Sequence, residues 1–352
     1  MDFAREIIEW YQHNKRDLPW RNTNDPYIIW LSEIIMQQTR VEQGTPYFNR
    51  FAEKYPTVSD FASANEDEIL NLWQGLGYYS RGRNMLHTAQ TVMEEHAGYF
   101  PKSYNSLIRL KGIGEYTAAA IASFSANEPK AVVDGNVFRL LGRYFGIDLP
   151  INSSKGKKVF TDLANELIDK SNAGIYNQAA MEFGSLVCKP RNPDCPVCPL
   201  RPGCEAYRTN RIHELPVKLK TQKIRERHFN YILARNEQGI LMNKRGPNDI
   251  WQNLYELPLF ETEQLTDVRS LKDHENFVKA FGADVRIRFV SSPVKHILSH
   301  QRLYATFIEI ENFSEHFAVE NGWFYVTMED LKELAQPKLI FQFFKNFLKL
   351  KD

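Results

Sequence analysis

The feature that most constrains this chain is the placement of its four cysteines. All of them lie between positions 188 and 204, in the spacing C-x6-C-x2-C-x5-C, and the other residues of the 352-residue chain include no cysteine. Five prolines in the same stretch disfavour a helix, so we expect loops wrapped around a centre. The sequence therefore predicts a metal site formed by Cys188, Cys195, Cys198 and Cys204.

Four thiolates suit either zinc or an iron–sulfur cluster. A zinc ribbon usually pairs two C-x2-C knuckles, and only one pair here has that spacing, which favours an iron–sulfur cluster over zinc. Such a cluster need not carry out redox chemistry. It could equally order its own loop, whose basic residues would then contact phosphate.

Composition and the first ten residues indicate a cellular compartment but do not identify a binding partner. Hydrophobic residues make up 43% of the chain, and no apolar run is long enough to cross a bilayer. The opening MDFAREIIEW resembles neither a secretory signal nor a transit peptide, so we expect a cytoplasmic protein. The net charge of +1 does not by itself indicate nucleic acid.

Periodicity divides the chain into a helical part and a mixed part. Helical spacing extends to about residue 205, and alternating apolar residues begin after Leu215-Pro216. We predict a helical domain at 1–215, a basic linker at 216–227 and an α+β domain at 228–352. Helices are predicted at 4–11, 27–38, 66–73, 80–95, 116–123, 155–170, 177–187, 271–281 and 338–348, and strands at 228–235, 239–244, 285–290, 303–310 and 322–326.

A glycine hairpin is the second strong signal. Gly112 and Gly114 lie in LKGIGEYT (110–117) between two predicted helices, where they allow a tight turn that presents backbone amides. Such a nest binds an anion, and Lys111 adds a positive charge beside it. A bare G-x-G is more often an ordinary turn between helices. Here Asp134, in AVVDGNVFRLLGR, and then the cysteines follow it.

Taken in this order, these motifs resemble the iron–sulfur branch of the helix-hairpin-helix DNA glycosylases, the endonuclease III superfamily. Within it the chain is similar to the MutY family of adenine glycosylases. The matching stretches are DLPWR (17–21), LSEIIMQQTRV (31–41), GLGYYSRGRN (75–84) and NQAAMEFGSLVC (177–188). The resemblance implies an all-α, two-lobed glycosylase domain with a 4Fe-4S cluster loop, followed by a Nudix-like α+β domain.

The chemistry of adenine excision requires two carboxyl groups. The leaving purine needs a proton, and the sugar needs negative charge nearby as it becomes cationic. Glu33 lies in the apolar run IIWLSEIIM, where burial would raise its pKa and let it act as the general acid. Composition alone would instead make it a solvent-facing helix residue. Asp134 is the candidate carboxylate at the sugar, or else simply a helix N-cap.

The resemblance assigns further residues. Asn136 would orient Asp134, and Tyr116 would hydrogen-bond it. The residues implied to contact DNA, besides the hairpin, share positions in the family's motifs: Arg21 and Gln178 at the adenine pocket, and Gln38, Thr39, Leu76 and Tyr78 at the duplex. All of this requires the base to be flipped from the stack. For Leu76, ordinary core packing is an equal alternative.

Position 116 distinguishes two kinds of glycosylase. Members with lyase activity have a lysine there that forms a Schiff base, whereas this chain has Tyr116. Lys111 lies within the hairpin, on the wrong side of the turn. We therefore predict a monofunctional enzyme that leaves an abasic site. Glu115 replaces the proline often found in relatives and places an acid near phosphate.

The second domain resembles Nudix proteins without their catalytic array. Residues 245–258 (RGPNDIWQNLYELP) match the strand-loop-strand, but 261–282 lacks the R-E-x-x-E-E acids that hold magnesium. We expect recognition of 8-oxoguanine through the stretch 295–300. Ser299 and His300 match the family there, Leu298 replaces its aromatic residue, and His296 is a further candidate in the same stretch. Without the family, a metal site at the two histidines is a weak alternative.

The expected partner is duplex DNA containing adenine opposite 8-oxoguanine or guanine, bound by a monomer with no membrane contact. Three alternatives stay open at this point. The chain could be an endonuclease III-type lyase, a catalytically silent DNA-binding iron–sulfur protein, or a nucleotide pyrophosphatase. Tyr116 argues against the lyase, and the pair Glu33 and Asp134 argues against the silent DNA-binding protein. The missing magnesium array argues against the pyrophosphatase.

Overall fold

The structure, a computed structural model, describes residues 2–219, 224–314 and 321–347. Residues 220–223 of the predicted linker and residue 348 of the predicted last helix lie outside this range. Among the described residues, no helix combines the length and apolar character needed to span a bilayer.

Internal contacts divide the chain into two compact units. One comprises residues 1–64 and 84–220, and the other comprises residues 65–83 and 221–352. The helical periodicity of 65–83 predicts that this segment belongs to the helical domain. By internal contacts, the segment groups with the strand-rich residues.

The first unit is helical, and side-chain caps explain where several of its helices begin. Asp2, Asp25, Asp134 and Ser153 each accept hydrogen bonds from backbone amides of the first turn. The helices up to the cysteine loop and just beyond it are α1 Phe3–Asn14, α2 Pro26–Met36, α3 Val41–Lys54, α4 Val58–Ser63, α5 Glu66–Leu72, α6 Ser80–Glu95, α7 Tyr104–Leu107, α8 Glu115–Ala126, α9 Gly135–Tyr144, α10 Ser154–Leu167, α11 Ala173–Leu186 and α12 Glu205–Arg208. Of these, α5 and the start of α6 belong to the second unit.

Helices α3, α4, α7, α9 and α12 are absent from the sequence-based prediction. Gly44 and Pro46 lie inside α3, and such residues normally signal a break. Helix α9 begins at Gly135, directly after the cap Asp134, where the sequence suggested only a turn. Tertiary packing overrides these weak local preferences, since α3 and α9 each bury an apolar face.

Two apolar clusters fix the helices that carry the predicted site. Phe3, Ile7, Leu140 and Phe183 belong to a core that joins α1, α9 and α11. Around α2, the Trp30 ring packs edge-on against Phe61, with ring centroids 5.7 Å apart. Burial of this kind stabilises the unit and leaves α2, α8, α9 and α11 little freedom to shift.

The second unit is built on an eight-stranded mixed sheet. The strands are β1 Arg225–Asn236, β2 Gly239–Lys244, β3 Tyr255–Glu256, β4 Leu259–Thr262, β5 Arg286–Val290, β6 Val294–Ile297, β7 Gln301–Glu311 and β8 Phe324–Val326. The main order is β3-β2-β1-β7-β5, with β1 and β7 parallel and the other pairs antiparallel. Helices α13 Val268–Lys272, α14 Glu275–Phe281 and α15 Lys338–Phe347 accompany the sheet.

The predicted helix 271–281 is wrong in one respect, because it is two helices. Asp273 ends α13, and the His274 side chain accepts a hydrogen bond from the Asn276 amide at the start of α14. Strands β3, β4 and β6 were also missed, since each has four residues or fewer and shows little alternation. The general expectation of a helical domain followed by an α+β domain is confirmed.

Candidate active site

A cavity of about 310 Å³ in the helical unit brings most of the predicted catalytic residues together. Its walls come from α2, α8, α11, the start of α9 and the turn at Pro19–Arg21. The predicted residues that line it are Arg21, Glu33, Thr39, Tyr116, Asp134, Asn136 and Gln178. These positions are separated by up to 157 residues along the chain, so the fold alone assembles them.

Glu33 lies on the buried face of α2 and has an exposed fraction of 8%. Burial raises the pKa of its carboxyl group to about 7, although the hydrogen bond from Tyr116 and the charge of Arg21 lower it in part. The burial that the apolar run predicted is thus confirmed. A carboxyl group with this pKa holds a proton in a large fraction of molecules at neutral pH.

Tyr116, at the first turn of α8, has a different partner from the one expected. Its hydroxyl donates to Glu33 Oε2 at 2.5 Å, which corrects the expectation of a hydrogen bond to Asp134. Burial raises the pKa of the phenol well above its usual value, and the nearby Glu33 and Asp134 carboxyls act in the same direction. The phenol therefore stays protonated and is a hydrogen-bond donor to Glu33.

Asp134 is both the N-cap of α9 and part of the cavity wall, so the two interpretations of this residue are compatible. Its Oδ1 accepts from the backbone amides of Asn136 and Val137, at 2.9 and 2.8 Å, and its Oδ2 accepts from the Asn136 side-chain amide at 2.7 Å. Burial raises the pKa of Asp134, and these hydrogen bonds oppose that rise. The orienting contact expected of Asn136 is present.

Arg139, one turn further along α9, connects this turn to the cysteine loop. Its guanidinium donates to Asn136 Oδ1 at 2.9 Å, to the Gly184 carbonyl at 2.6 Å and to the Cys188 carbonyl at 2.6 Å. Arg143, on the next turn, donates to the carbonyls of Lys189 and Pro190. Two buried arginines thus tie the first part of the cysteine loop to the helix that Asp134 caps.

A second charged group in the cavity was missed by the sequence analysis. The carboxylate of Glu182 on α11 is fully buried and accepts from Arg16 at 2.7 and 2.8 Å and from Arg21 at 2.8 Å. Burial alone would raise the pKa of Glu182, but these hydrogen bonds and charges hold it at about 2. The signal was its position inside NQAAMEFGSLVC, four residues after Gln178.

Gln178 is held by a neighbouring phenol. The hydroxyl of Tyr11 donates to its Oε1 at 2.8 Å, which leaves the amide nitrogen as the group available to the cavity. The Arg21 guanidinium lies 5.7 Å from the centre of the Tyr11 ring. Arg21, Gln178 and Glu182 therefore place donors and an acceptor on one side of the cavity, as recognition of a flat polar base requires.

The four cysteines line a single small cavity of about 30 Å³. None forms a disulfide, and burial raises the pKa of Cys195, Cys198 and Cys204. Among the described residues, no three or more His, Cys, Asp or Glu side chains converge on one position that could hold a single ion. The fold gathers the four thiols of the predicted metal site around one cavity.

The glycine hairpin has the geometry that its sequence predicts. Gly112 has φ +79°, in the left-handed region, and a Cβ there would meet Asn84 Cβ at 2.8 Å. Gly114 precedes α8, which has no side-chain cap. Gly112, Gly114 and Lys111 are exposed, so the amides at the start of α8 are accessible to an anion.

The predicted duplex-contacting residues differ in exposure. Gln38 is exposed and has φ +53°, in the turn that follows α2. In the second unit, Tyr78 is 45% exposed with φ +48°, whereas Leu76 is buried at 7% exposure. Leu76 therefore packs in the interior, and Tyr78 is an exposed aromatic side chain of this loop.

The predicted 8-oxoguanine loop joins β6 to β7 in the second unit. His296 lies on β6, where its ring packs edge-on against Trp251 with centroids 5.8 Å apart. Leu298 is partly buried against the sheet core, while Ser299 and His300 are exposed and lie 3.1 Å apart, Oγ to Nδ1. A polar pair beside an apolar side chain is suited to a base edge, and its role stays a prediction.

Comparison with known proteins agrees with this geometry. Residues 31–166 match the model of the HhH-GPD superfamily of base-excision DNA repair proteins, and residues 230–346 match the NUDIX domain model. The adenine DNA glycosylase of Buchnera aphidicola subsp. Baizongia pistaciae is 33% identical over 304 residues, 86% of this chain and 84% of that protein. The adenine DNA glycosylase of Buchnera aphidicola subsp. Acyrthosiphon pisum is 29% identical over 356 residues, which cover 99% of this chain and 98% of that protein. Among solved structures, a thermostable thymine-DNA glycosylase matches with TM-score 0.55 and 28% identity, covering 59% of this chain and 95% of that one.

The raised pKa of Glu33 predicts a pH-dependent change in stability. The folded protein keeps this proton up to about pH 7 and the unfolded chain only to about 4.5, so folding loses stability as pH rises through that window. Glu33→Gln removes the loss. Its free energy of unfolding relative to wild type should rise by about 2–3 kcal/mol between pH 5 and pH 8 in urea titrations. Exposed Glu115→Gln is the control, and a pH-independent difference for Glu33→Gln would contradict the burial of a titrating carboxyl.

Glu182 should behave in the opposite way. Its pKa of about 2 lies below the usual 4.5, so its ion pairs stabilise the fold above about pH 4.5, and this stability is lost as pH falls toward 2. We expect Glu182→Gln to lower the free energy of unfolding by about 3 kcal/mol at pH 7, and by less at pH 3.5. Urea titrations at the two pH values measure this. A stabilised Glu182→Gln protein at pH 7 would show that the ion pairs contribute nothing.

Proposed function

Because the chain belongs to the adenine DNA glycosylase family, we propose that it hydrolyses the N-glycosidic bond of adenine opposite 8-oxoguanine or guanine in duplex DNA. The observation that carries the proposal is a buried, protonatable Glu33 and a capped Asp134 in one cavity. Reaching this cavity requires the adenine to be flipped out of the duplex.

Glu33 supplies the proton that the leaving base needs. Its Oε2 accepts the Tyr116 hydroxyl, so the acidic proton is carried on Oε1 and is directed to N7 of the purine. As the bond between C1′ and N9 breaks, the electron pair moves onto the protonated base, which then leaves as neutral adenine. The raised pKa keeps the acid protonated near neutral pH.

Asp134 supports the sugar as it loses the base. Its carboxylate compensates the positive charge that develops at C1′, or captures that carbon covalently before water completes the hydrolysis. The hydrogen bond from Asn136 and the two backbone amides hold the carboxylate in one orientation. The products are free adenine and an abasic site.

The same cavity supports a monofunctional reaction. Schiff-base lyases need an amine at the reacting carbon, and no lysine is found among the described residues that line this cavity. Tyr116 occupies the position at which the lyases of this superfamily have one. We therefore propose that strand breakage is not part of the reaction, which separates this chain from the endonuclease III type.

The second unit is proposed to read the base opposite adenine. Ser299 and His300 are exposed hydrogen-bonding groups on the β6–β7 turn, and Leu298 adds an apolar contact. The binding partner is accordingly a duplex with 8-oxoguanine or guanine opposite adenine, bound by a monomer. We place the activity in the cytoplasm, at the nucleoid.

A 4Fe-4S cluster is the proposed occupant of the cysteine loop. The fit rests on donor chemistry: four thiols in the spacing C-x6-C-x2-C-x5-C line one cavity, and thiolates are the ligands that hold such clusters. Bound there, the cluster would supply the positive charge that lets buried thiols ionise. Its role would be to hold the loop that Arg139 and Arg143 tie to α9.

Duplexes carrying adenine opposite 8-oxoguanine, adenine opposite guanine, or thymine glycol test the function. We expect adenine release from the first two and strand breakage only after alkali. Glu33→Gln should slow release by about 10²–10⁴-fold because the proton donor is lost, whereas Glu95→Gln, at an exposed position of α6 outside the site, should not. Full activity of Glu33→Gln, or breakage of thymine glycol DNA without alkali, would contradict the proposal.

The cluster proposal is tested by metal analysis of the purified protein. Iron and acid-labile sulfide in equal amounts are expected, with loss of both in Cys195→Ser. The loss should also lower the thermal midpoint, because the loop is anchored to the helix that bears Asp134. Val197→Ser, in the same loop at an 80% exposed position, is the matched control. Zinc in place of iron would refute the cluster.

A further inference from the structure

Helix α5 is hydrogen-bonded to the sheet of the second unit through one carboxylate, that of Asp67. Asp67 Oδ1 accepts from Lys244 Nζ at 2.9 Å, and its Oδ2 accepts from Lys244 Nζ at 3.0 Å and from the Tyr255 hydroxyl at 2.8 Å. A single side chain of α5 thus receives three hydrogen bonds from two strands. Asp67 lies outside all of the sequence motifs described above.

The two donors are placed by strand register. Lys244 ends β2 and Tyr255 begins β3, and the antiparallel ladder sets them directly opposite each other. Side chains at opposite positions project from the same face, and the Lys244 ammonium lies 4.9 Å from the centre of the Tyr255 ring. The register of the sheet therefore places both donors beside Asp67, so these hydrogen bonds are not a chance pairing of flexible side chains.

Other contacts hold α5 and the residues after it along their length. Glu66 accepts a hydrogen bond from the Asn253 side chain, and Asn71 donates to the Glu333 carbonyl at 2.6 Å. The Tyr79 hydroxyl donates to the Gln336 carbonyl at 3.2 Å. The segment 65–83 is consequently fixed to three separate parts of the Nudix-like domain.

The loop that follows α5 is rigid in its own right. The Gly77 carbonyl accepts from Trp73 Nε1 at 3.0 Å and from Arg81 Nη2 at 3.1 Å. The Arg81 guanidinium lies 4.9 Å from the Trp73 ring centre and 5.8 Å from that of Tyr78. Tyr78, the exposed residue that the resemblance places against the duplex, is presented by a preformed loop.

We propose that Asp67 is a positioning residue that makes the Nudix-like domain and Tyr78 act on DNA as one body. Engagement of the base opposite adenine by the domain would then insert Tyr78 in the same step. The identity of that base would control wedging of the duplex, and hence which adenines are excised quickly. The inference rests on the proposed function for its substrate.

The size of the effect follows from exposure. The side chains of Asp67 and Lys244 are 43% and 41% exposed, so solvent screens their attraction. Asp67→Lys replaces the attraction to Lys244 by repulsion and removes the hydrogen bond from Tyr255. These two changes should weaken the coupling between the Nudix-like domain and Tyr78 by about fivefold. An effect of this size is measurable and should leave the fold intact.

The test is a charge exchange measured under single-turnover conditions. Adenine release is followed from duplexes with 8-oxoguanine or guanine opposite, for wild type, Asp67→Lys, Lys244→Asp and the double exchange. We expect each single variant to lose about fivefold of the preference for 8-oxoguanine, and the double exchange to regain it. Asp162→Lys breaks the exposed Lys158–Asp162 pair of the helical unit and is the matched control.

A second readout does not depend on excision. A 2-aminopurine placed beside 8-oxoguanine reports wedging of the duplex by its fluorescence, and the signal should fall in Asp67→Lys and return in the double exchange. Equal losses on both duplexes without rescue, or unchanged preference and fluorescence, would overturn the coupling. If wild type released no adenine at all, the proposed function would fail, and the fluorescence comparison would still decide the coupling.

Discussion

The carboxyl group of Glu33 lies where water does not solvate its charge, and the helical unit is arranged around that constraint. Apolar residues of α2 bury it, and the same burial raises its pKa to about 7. Such a group costs stability when ionised, so Tyr116 and Arg21 are placed to limit the cost without removing it. The site retains a proton donor because desolvation outweighs these favourable contacts.

The opposite balance holds for Glu182, which lines the same cavity. Glu182 is buried as deeply, but two guanidinium groups compensate its charge and keep it ionised. One cavity therefore contains two carboxyl groups whose pKa values are driven apart by their partners. The division between proton donor and fixed charge is a property of these partners, since both residues are glutamates.

Arg139 and Tyr78 illustrate how residues far apart along the chain position a functional side chain within each unit. Arg139 joins the turn of Asp134 and Asn136 to the start of the cysteine loop, so ordering that loop also orders the catalytic turn. Tyr78 is carried by a segment, 65–83, that lies between the two stretches of the helical unit in sequence but packs with the sheet. In both cases the connection is a short set of hydrogen bonds between elements far apart along the chain.

The sequence by itself determined the helical and mixed halves, the cysteine loop, the glycine hairpin, and the pair Glu33 and Asp134, because each is a local pattern of residue type and spacing. It could not identify Glu182 as the partner of Arg16 and Arg21, choose Glu33 over Asp134 as the acceptor for Tyr116, or assign α5 to the second unit. Those outcomes depend on which side chains meet after packing. Only the tertiary structure decided them, since hydrogen bonds and desolvation act between neighbours in space.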